Sequence, residues 1–89
     1  MPKSISIHIT GRVQGVGFRY HTRNKAQEFN IKGFAKNEPD GSVYIEAEGE
    51  EPDLEQFMDW CRSGPRLARV DSFCTKPIPL KDYTGFAVK

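Results

Sequence analysis

The sequence predicts an α+β fold, a split βαβ arrangement in which an antiparallel sheet carries two helices on one face. Three observations lead there. Ile5, Ile7 and Ile9 alternate with Ser6, His8 and Thr10, the period-two pattern of a strand with one buried face. Thr22, Ala26 and Phe29, and later Leu54, Phe57, Met58 and Cys61, recur at helical spacing. Between them lies Asn37-Glu38-Pro39-Asp40-Gly41, a turn sequence flanked by extended segments.

Each element follows in order. Residues 4 to 10 form the first strand. A first helix is expected from about 21 to 30, with Asn30 as a left-handed C-terminal cap. Gly33 to Lys36 lead into a second strand, and the Pro-Asp-Gly turn makes a hairpin with the third. There Val43, Ile45 and Ala47 alternate with Ser42, Tyr44, Glu46 and Glu48, which predicts one core face and one wet face. Pro52 suits the first turn of a second helix, Asp53 and Glu55 favour its positive end, and Gly64-Pro65 stops it. Ala68 to Thr75 reads as a fourth strand broken by Pro77 and Pro79, and Phe86-Ala87-Val88 as a short closing strand. The order βαββαβ, with a short extra C-terminal strand, is the ferredoxin-like arrangement.

Length and composition bound the rest. A chain of 89 residues, 37% hydrophobic, is too short for two ordinary domains and too apolar for disorder, so residues 1–89 are expected to form a single domain. No apolar run approaches the ~20 residues of a membrane span, and the N-terminus lacks a signal peptide's apolar core. The expectation is a cytoplasmic monomer with no membrane partner. Cys61 and Cys74 have neither metal-ligand nor redox-pair spacing and are expected as free, partly buried thiols. The net charge is only +1, but it is unevenly spread. Residues 1 to 40 hold seven Lys/Arg against three acids, a local +4, and residues 41 to 89 six against nine, a local −3. The first half is suited to an anion.

Within that half, Thr10-Gly11-Arg12-Val13-Gln14-Gly15-Val16-Gly17-Phe18-Arg19 joins the first strand to the first helix. A dinucleotide fingerprint fails because Tyr20 stands where its third glycine belongs, and a nucleotide phosphate loop fails because no Gly-Lys-Ser/Thr closes the stretch. Two readings stay open. In one, Gly15 and Gly17 adopt positive φ and turn successive N–H groups inward at a helix N-terminus, where Arg19 adds a planar guanidinium suited to phosphate oxygens. In the other, the glycines only make a tight turn and Arg19 is solvated.

Loop and hairpin together resemble the acylphosphatases. Gly11-Arg12-Val13-Gln14-Gly15-Val16-Gly17-Phe18-Arg19 is similar to that family's phosphate-loop signature, and Gly33-Phe34-Ala35-Lys36-Asn37 with Asp40-Gly41-Ser42-Val43 to its second signature. Gly49, Gly64-Pro65 with Ala68 and Val70, and Phe86 with Val88 also fall where the family's pattern has them. The departures are Phe34 where Trp is often found, Lys36 where Arg is frequent, and Asn30 in place of a common glycine.

The resemblance implies hydrolysis of a small-molecule acyl phosphate to a carboxylate and inorganic phosphate, with no metal and no other cofactor. It implies that Arg19 binds the phosphoryl group, that Asn37 positions the attacking water, and that the backbone of Gly15, Val16, Gly17 and Phe18 cradles the phosphoryl oxygens. Chemically this set suffices. A carboxylate leaves without protonation, so the task is to stabilise charge on the phosphoryl oxygens and hold a water in line.

Bland alternatives exist for single residues. Asn37 alone suits a hairpin turn. His8 points away from Ile7 and Ile9 and reads as a surface residue; His21 opens the helix beside Arg19, where it could add positive potential, and takes no catalytic role; Arg12 either steers substrate or is simply exposed. The acids from Glu46 to Glu55, with Glu38 and Asp40, read as a solvated surface and not as a metal site. Two non-enzymatic readings remain: a regulatory domain that acts beside a partner, as acylphosphatase-like modules do within larger carbamoyl-transfer proteins, and RNA binding, which draws on Lys32-Gly33-Phe34-Ala35, a match to the opening of an RNA-recognition octapeptide. The match breaks at Lys36 and Asn37, and the first strand offers no stacking aromatic, so no nucleic acid partner is expected.

Overall fold

The computed structural model describes all 89 residues. Its elements are β1 (Lys3–Arg12), α1 (Phe18–Glu28), β2 (Lys32–Asn37), β3 (Val43–Gly49), α2 (Glu51–Ser63), β4 (Arg69–Ile78) and β5 (Phe86–Val88). The strand order is β4-β1-β3-β2-β5. β1 lies antiparallel to both β3 and β4, and β2 antiparallel to β3, with Ile7 opposite Ile45 and Asn37 opposite Val43. This is the ferredoxin-like α+β fold. One edge departs from a wholly antiparallel sheet: β5 pairs in parallel with β2, Gly33 opposite Phe86 and Ala35 opposite Val88. The sheet is therefore mixed.

The core forms as the periodicities dictate. Ile7, Ile9, Ala35, Val43, Ile45 and Ala47 on the sheet meet Phe18, Ala26, Leu54, Phe57 and Cys61 from the helices, all buried. Phe57, with no exposed surface, packs edge-on to Phe86 with ring centroids 6.0 Å apart. Burying one such side chain contributes about 1.5–3 kcal/mol. Both cysteines are free, but only Cys61 is buried; Cys74 is exposed.

Several further expectations need correction. First, α1 begins at Phe18, not near residue 21, and ends at Glu28. Gly17 caps it in the left-handed conformation with no side-chain hydrogen bond, so the usual Ser, Thr, Asp or Asn start signal is missing. Asn30 nonetheless has φ 61°, the left-handed geometry expected after the helix.

Second, Pro77 does not break β4, which continues to Ile78 with Pro77 opposite Ile5. β4 is the outer strand of its side of the sheet, where alternate N–H groups face away from the ladder and proline is tolerated.

Third, Glu46 and Glu48 are not solvated; each is 7% exposed. The chain between β4 and β5 runs back across the sheet face that carries no helix and covers them. Glu48 accepts the main-chain N–H groups of Lys81 (2.8 Å) and Tyr83 (3.1 Å). Glu46 accepts from Lys81 Nζ (2.9 Å), from the Tyr44 hydroxyl (2.7 Å) and from the Tyr83 hydroxyl. Burial works against the Glu46 charge, but these donors outweigh it and hold its carboxyl below the ordinary value. Burial and the neighbouring Glu46 push the Tyr44 hydroxyl up to about 12, and Tyr83 shifts the same way. Both stay protonated and donating. His8 is likewise half-buried instead of free on the surface, its Nε2 lying 2.8 Å from Ser42 Oγ.

Candidate active site

The site grows out of the join between β1 and α1. A register shift between Thr10 and Gly11 in the β1–β4 pairing turns the chain at the end of the strand. Gly15 (φ 74°) and Gly17 (φ 76°) then take left-handed conformations that a side chain would disfavour. None of the N–H groups from Gly15 to Tyr20 donates to an acceptor within the protein. They flank the start of α1 at Phe18, where the helix dipole places partial positive charge.

Phe18 fixes the helix that follows. Its side chain is 1% exposed and its ring packs against Trp60, centroids 5.8 Å apart. A helix turns about 100° per residue, so with Phe18 facing inward, Arg19 is carried round toward the loop. Arg19 is half-buried, and its Nη1 donates to the main-chain oxygen of Lys89 at 2.6 Å. The guanidinium has further donors in its plane.

Asn37 approaches from another element, as the last residue of β2. Its Oδ1 is buried and accepts no hydrogen bond. An unpaired buried acceptor is costly, about 1–3 kcal/mol, and calls for an explanation. Arg19 and Asn37 line one cavity of about 180 Å³ together with Val13, Gly15, Gly17, Phe18 and Tyr20. Of the residues expected in the cradle, Gly15, Gly17 and Phe18 line it. Val16 does not, because its side chain turns into the core, which leaves only its main chain on offer. Arg12 is exposed and outside the cavity. His21 is also outside, its ring beside Gly17.

Sequence reasoning missed Val13 and Tyr20 as walls, and the Lys89 oxygen as a partner of Arg19. Tyr20 had a signal, since it follows Arg19 in the first turn of α1; the Lys89 contact had none. No cavity-lining residue is His, Cys, Asp or Glu, so the walls offer no usual set of metal ligands. A wider concavity of about 470 Å³ holds Glu48, Glu50, Asp53 and Asp82 against Lys32. Its charge is wrong for an anion, and the smaller cavity is the better candidate.

Unclaimed amides at a helix start, an arginine beside them and a ferredoxin-like frame define a phosphoryl-handling α+β domain as the class that this arrangement suits. The comparisons make that class specific. The family model for acylphosphatases matches residues 5–88. The acylphosphatase of Archaeoglobus fulgidus is 48% identical over 85 residues, covering 96% of each chain. The crystal structure of the Bacillus subtilis acylphosphatase, 33% identical, superposes with a TM-score of 0.95 over all of this chain and 99% of its own. HypF of T. kodakarensis, 38% identical, superposes at 0.87 over 98% of this chain but 12% of its own. The chain belongs to the acylphosphatase family and is, at that level, an enzyme of the acyl phosphate hydrolase class. No helix is long and apolar enough to cross a membrane.

Proposed function

We propose that residues 1–89 act as one domain that hydrolyses acyl phosphates by metal-independent, in-line attack of a water on a phosphoryl group. The amides of Gly15 to Phe18 and the free donors of Arg19 hold the phosphoryl oxygens. Asn37 Oδ1 accepts a proton of the water and directs its oxygen at phosphorus. The new P–O bond forms as the bond to the acyl oxygen breaks, and the carboxylate leaves as an anion. The water's protons pass to the phosphate product and to solvent.

The observation that carries this reading is Asn37 Oδ1, an acceptor without a donor on the wall of the cavity that also holds Arg19. An asparagine is too weak a base to deprotonate water in advance. That suits a loose transition state in which the nucleophile is still largely intact. Fixed donors and a fixed acceptor need no rearrangement as charge develops.

The RNA-binding reading gains no support. Phe34, its one candidate stacking residue, already packs against Tyr44 and Tyr83 at 6.0 Å each and lies under Lys89 Nζ at 4.2 Å. The test is phosphate release from acetyl and benzoyl phosphate, with and without excess chelator. Full release in chelator is expected, and a protein that releases none from either compound overturns the proposal.

A further inference from the structure

Gln14 belongs to the loop but does not line the cavity. Its side chain reaches the neck of the β2–β3 hairpin, where Nε2 donates to Glu38 O at 2.8 Å and to Ser42 O at 2.9 Å. Both neighbours are carbonyl oxygens, so only the nitrogen end of the amide fits there. Neither carbonyl depends on Gln14 for the turn itself. Glu38 O already accepts from Gly41 N at 3.1 Å, and Ser42 O from Glu38 N at 2.8 Å. Asp40 Oδ1 adds the Ser42 N–H at 2.9 Å and the Ser42 hydroxyl at 2.5 Å. The hairpin is thus closed by its own bonds, and what Gln14 adds is its attachment to the loop.

That attachment spans the site. One end is the segment whose Gly15, Gly17, Phe18 and Arg19 line the cavity; the other is Glu38, the residue after Asn37. We propose that Gln14 is a positioning residue: its two N–H bonds set the distance between the phosphoryl cradle and the asparagine that aims the water. This rests on the hydrolase reading and adds to it the part that registers its two halves. A displacement of about 1 Å between reacting groups costs on the order of 10² in rate. Losing the clamp should therefore depress turnover while leaving the cradle's grip on phosphate.

The experiment is a double-mutant cycle on benzoyl phosphate with wild type, Gln14→Met, Asn37→Ala and the double variant. Met keeps the side chain's length and removes the donor. Expected for Gln14→Met is a fall in kcat of about 10- to 100-fold, with the inhibition constant of inorganic phosphate within about threefold of wild type. In the Asn37→Ala background the same change should cost little further, because the group it positions is gone.

Equal losses in both backgrounds would overturn the proposal, as would unchanged kcat or a matching loss of phosphate affinity. If Gln14→Met does not fold, Gln14→Glu takes its place. Its carboxylate repels both carbonyls, and its activity relative to wild type should recover as falling pH restores a donor. Failure of both variants to fold, or no recovery, also overturns it, since the clamp would then hold the fold together and not the site in register. A wild-type protein without hydrolase activity fails the hydrolase reading itself and takes this inference with it.

Discussion

Arg19 Nη1 donates to the main-chain oxygen of Lys89 at 2.6 Å, and Lys89 is held in turn by its own N–H, which donates to Ala35 O at 2.8 Å. The guanidinium is therefore ordered before any ligand arrives, by a residue 70 positions away on the far side of β5. Lys89→Pro removes the N–H that anchors this contact. Freezing one long side chain costs about 0.5–1.5 kcal/mol on binding. Inhibition by inorganic phosphate should accordingly weaken by about 2- to 12-fold. Tighter inhibition would mean that the Lys89 oxygen competes with phosphate for the guanidinium.

Arg19 and Asn37 should separate in their kinetics. In the proposed mechanism the Arg19 charge both binds phosphate and stabilises the transition state, so Arg19→Gln should lower hydrolysis by at least about 10²–10³ and weaken phosphate inhibition with it. Asn37→Ala should lower kcat by a comparable factor and leave phosphate inhibition nearly unchanged. Steady-state rates beside a folded circular dichroism spectrum decide it. Near-normal turnover in either variant would remove that residue from the mechanism.

The covered face of the sheet should make stability depend on pH. Glu46 has its carboxyl held below the ordinary value in the folded protein, so the folded state favours the charged form. Its contribution is present above the unfolded carboxyl value of about 4.3 and is lost as pH falls through the lower folded value. Urea midpoints at neutral and acid pH should show Glu46→Gln losing less stability on acidification than wild type. Tyr83→Phe, which removes one donor to that carboxylate, should cost about 1.5–3 kcal/mol at neutral pH.

The two thiols should differ in reactivity. Burial pushes the Cys61 thiol up and hides it, with no exposed surface, whereas Cys74 stands exposed on β4. A thiol reagent followed by mass spectrometry should label Cys74 in the folded protein and reach Cys61 only after denaturation. Prompt labelling of both would mean that the core around Phe57 opens readily.

What was legible in the sequence was whatever repeats at short range. The alternation of Ile7 and Ile9, and the spacing of Leu54, Phe57 and Cys61, placed those side chains inside because a strand or helix fixes which neighbours share a face. The pairing of loop and hairpin signatures likewise pointed to Arg19 and Asn37, which the fold brings to one cavity. The misses at Glu46, Glu48 and Pro77 share a cause at long range, whereas the one at the start of α1 is local. Glu46 and Glu48 sit at polar positions of an alternating strand, and only the crossing of Lys81 and Tyr83 turns them inward. Pro77 stays inside β4 because edge position is a property of the sheet and not of the strand. The start of α1 escaped because Gly17 supplies a conformation instead of a capping side chain.

The unclaimed amides between Gly15 and Tyr20 belong to the main chain. Most substitutions exchange side chains and leave such donors where they are. Gly15 and Gly17 are the exception, since a side chain there would oppose the backbone angles that aim the donors. In the proposed mechanism, the anion-holding half of the site would therefore outlast extensive sequence drift around it. The water-holding half would rest on the single amide of Asn37 and be lost in one step. A descendant altered only there would be expected to keep its grip on phosphate, so a silent receptor would lie one codon away from an enzyme.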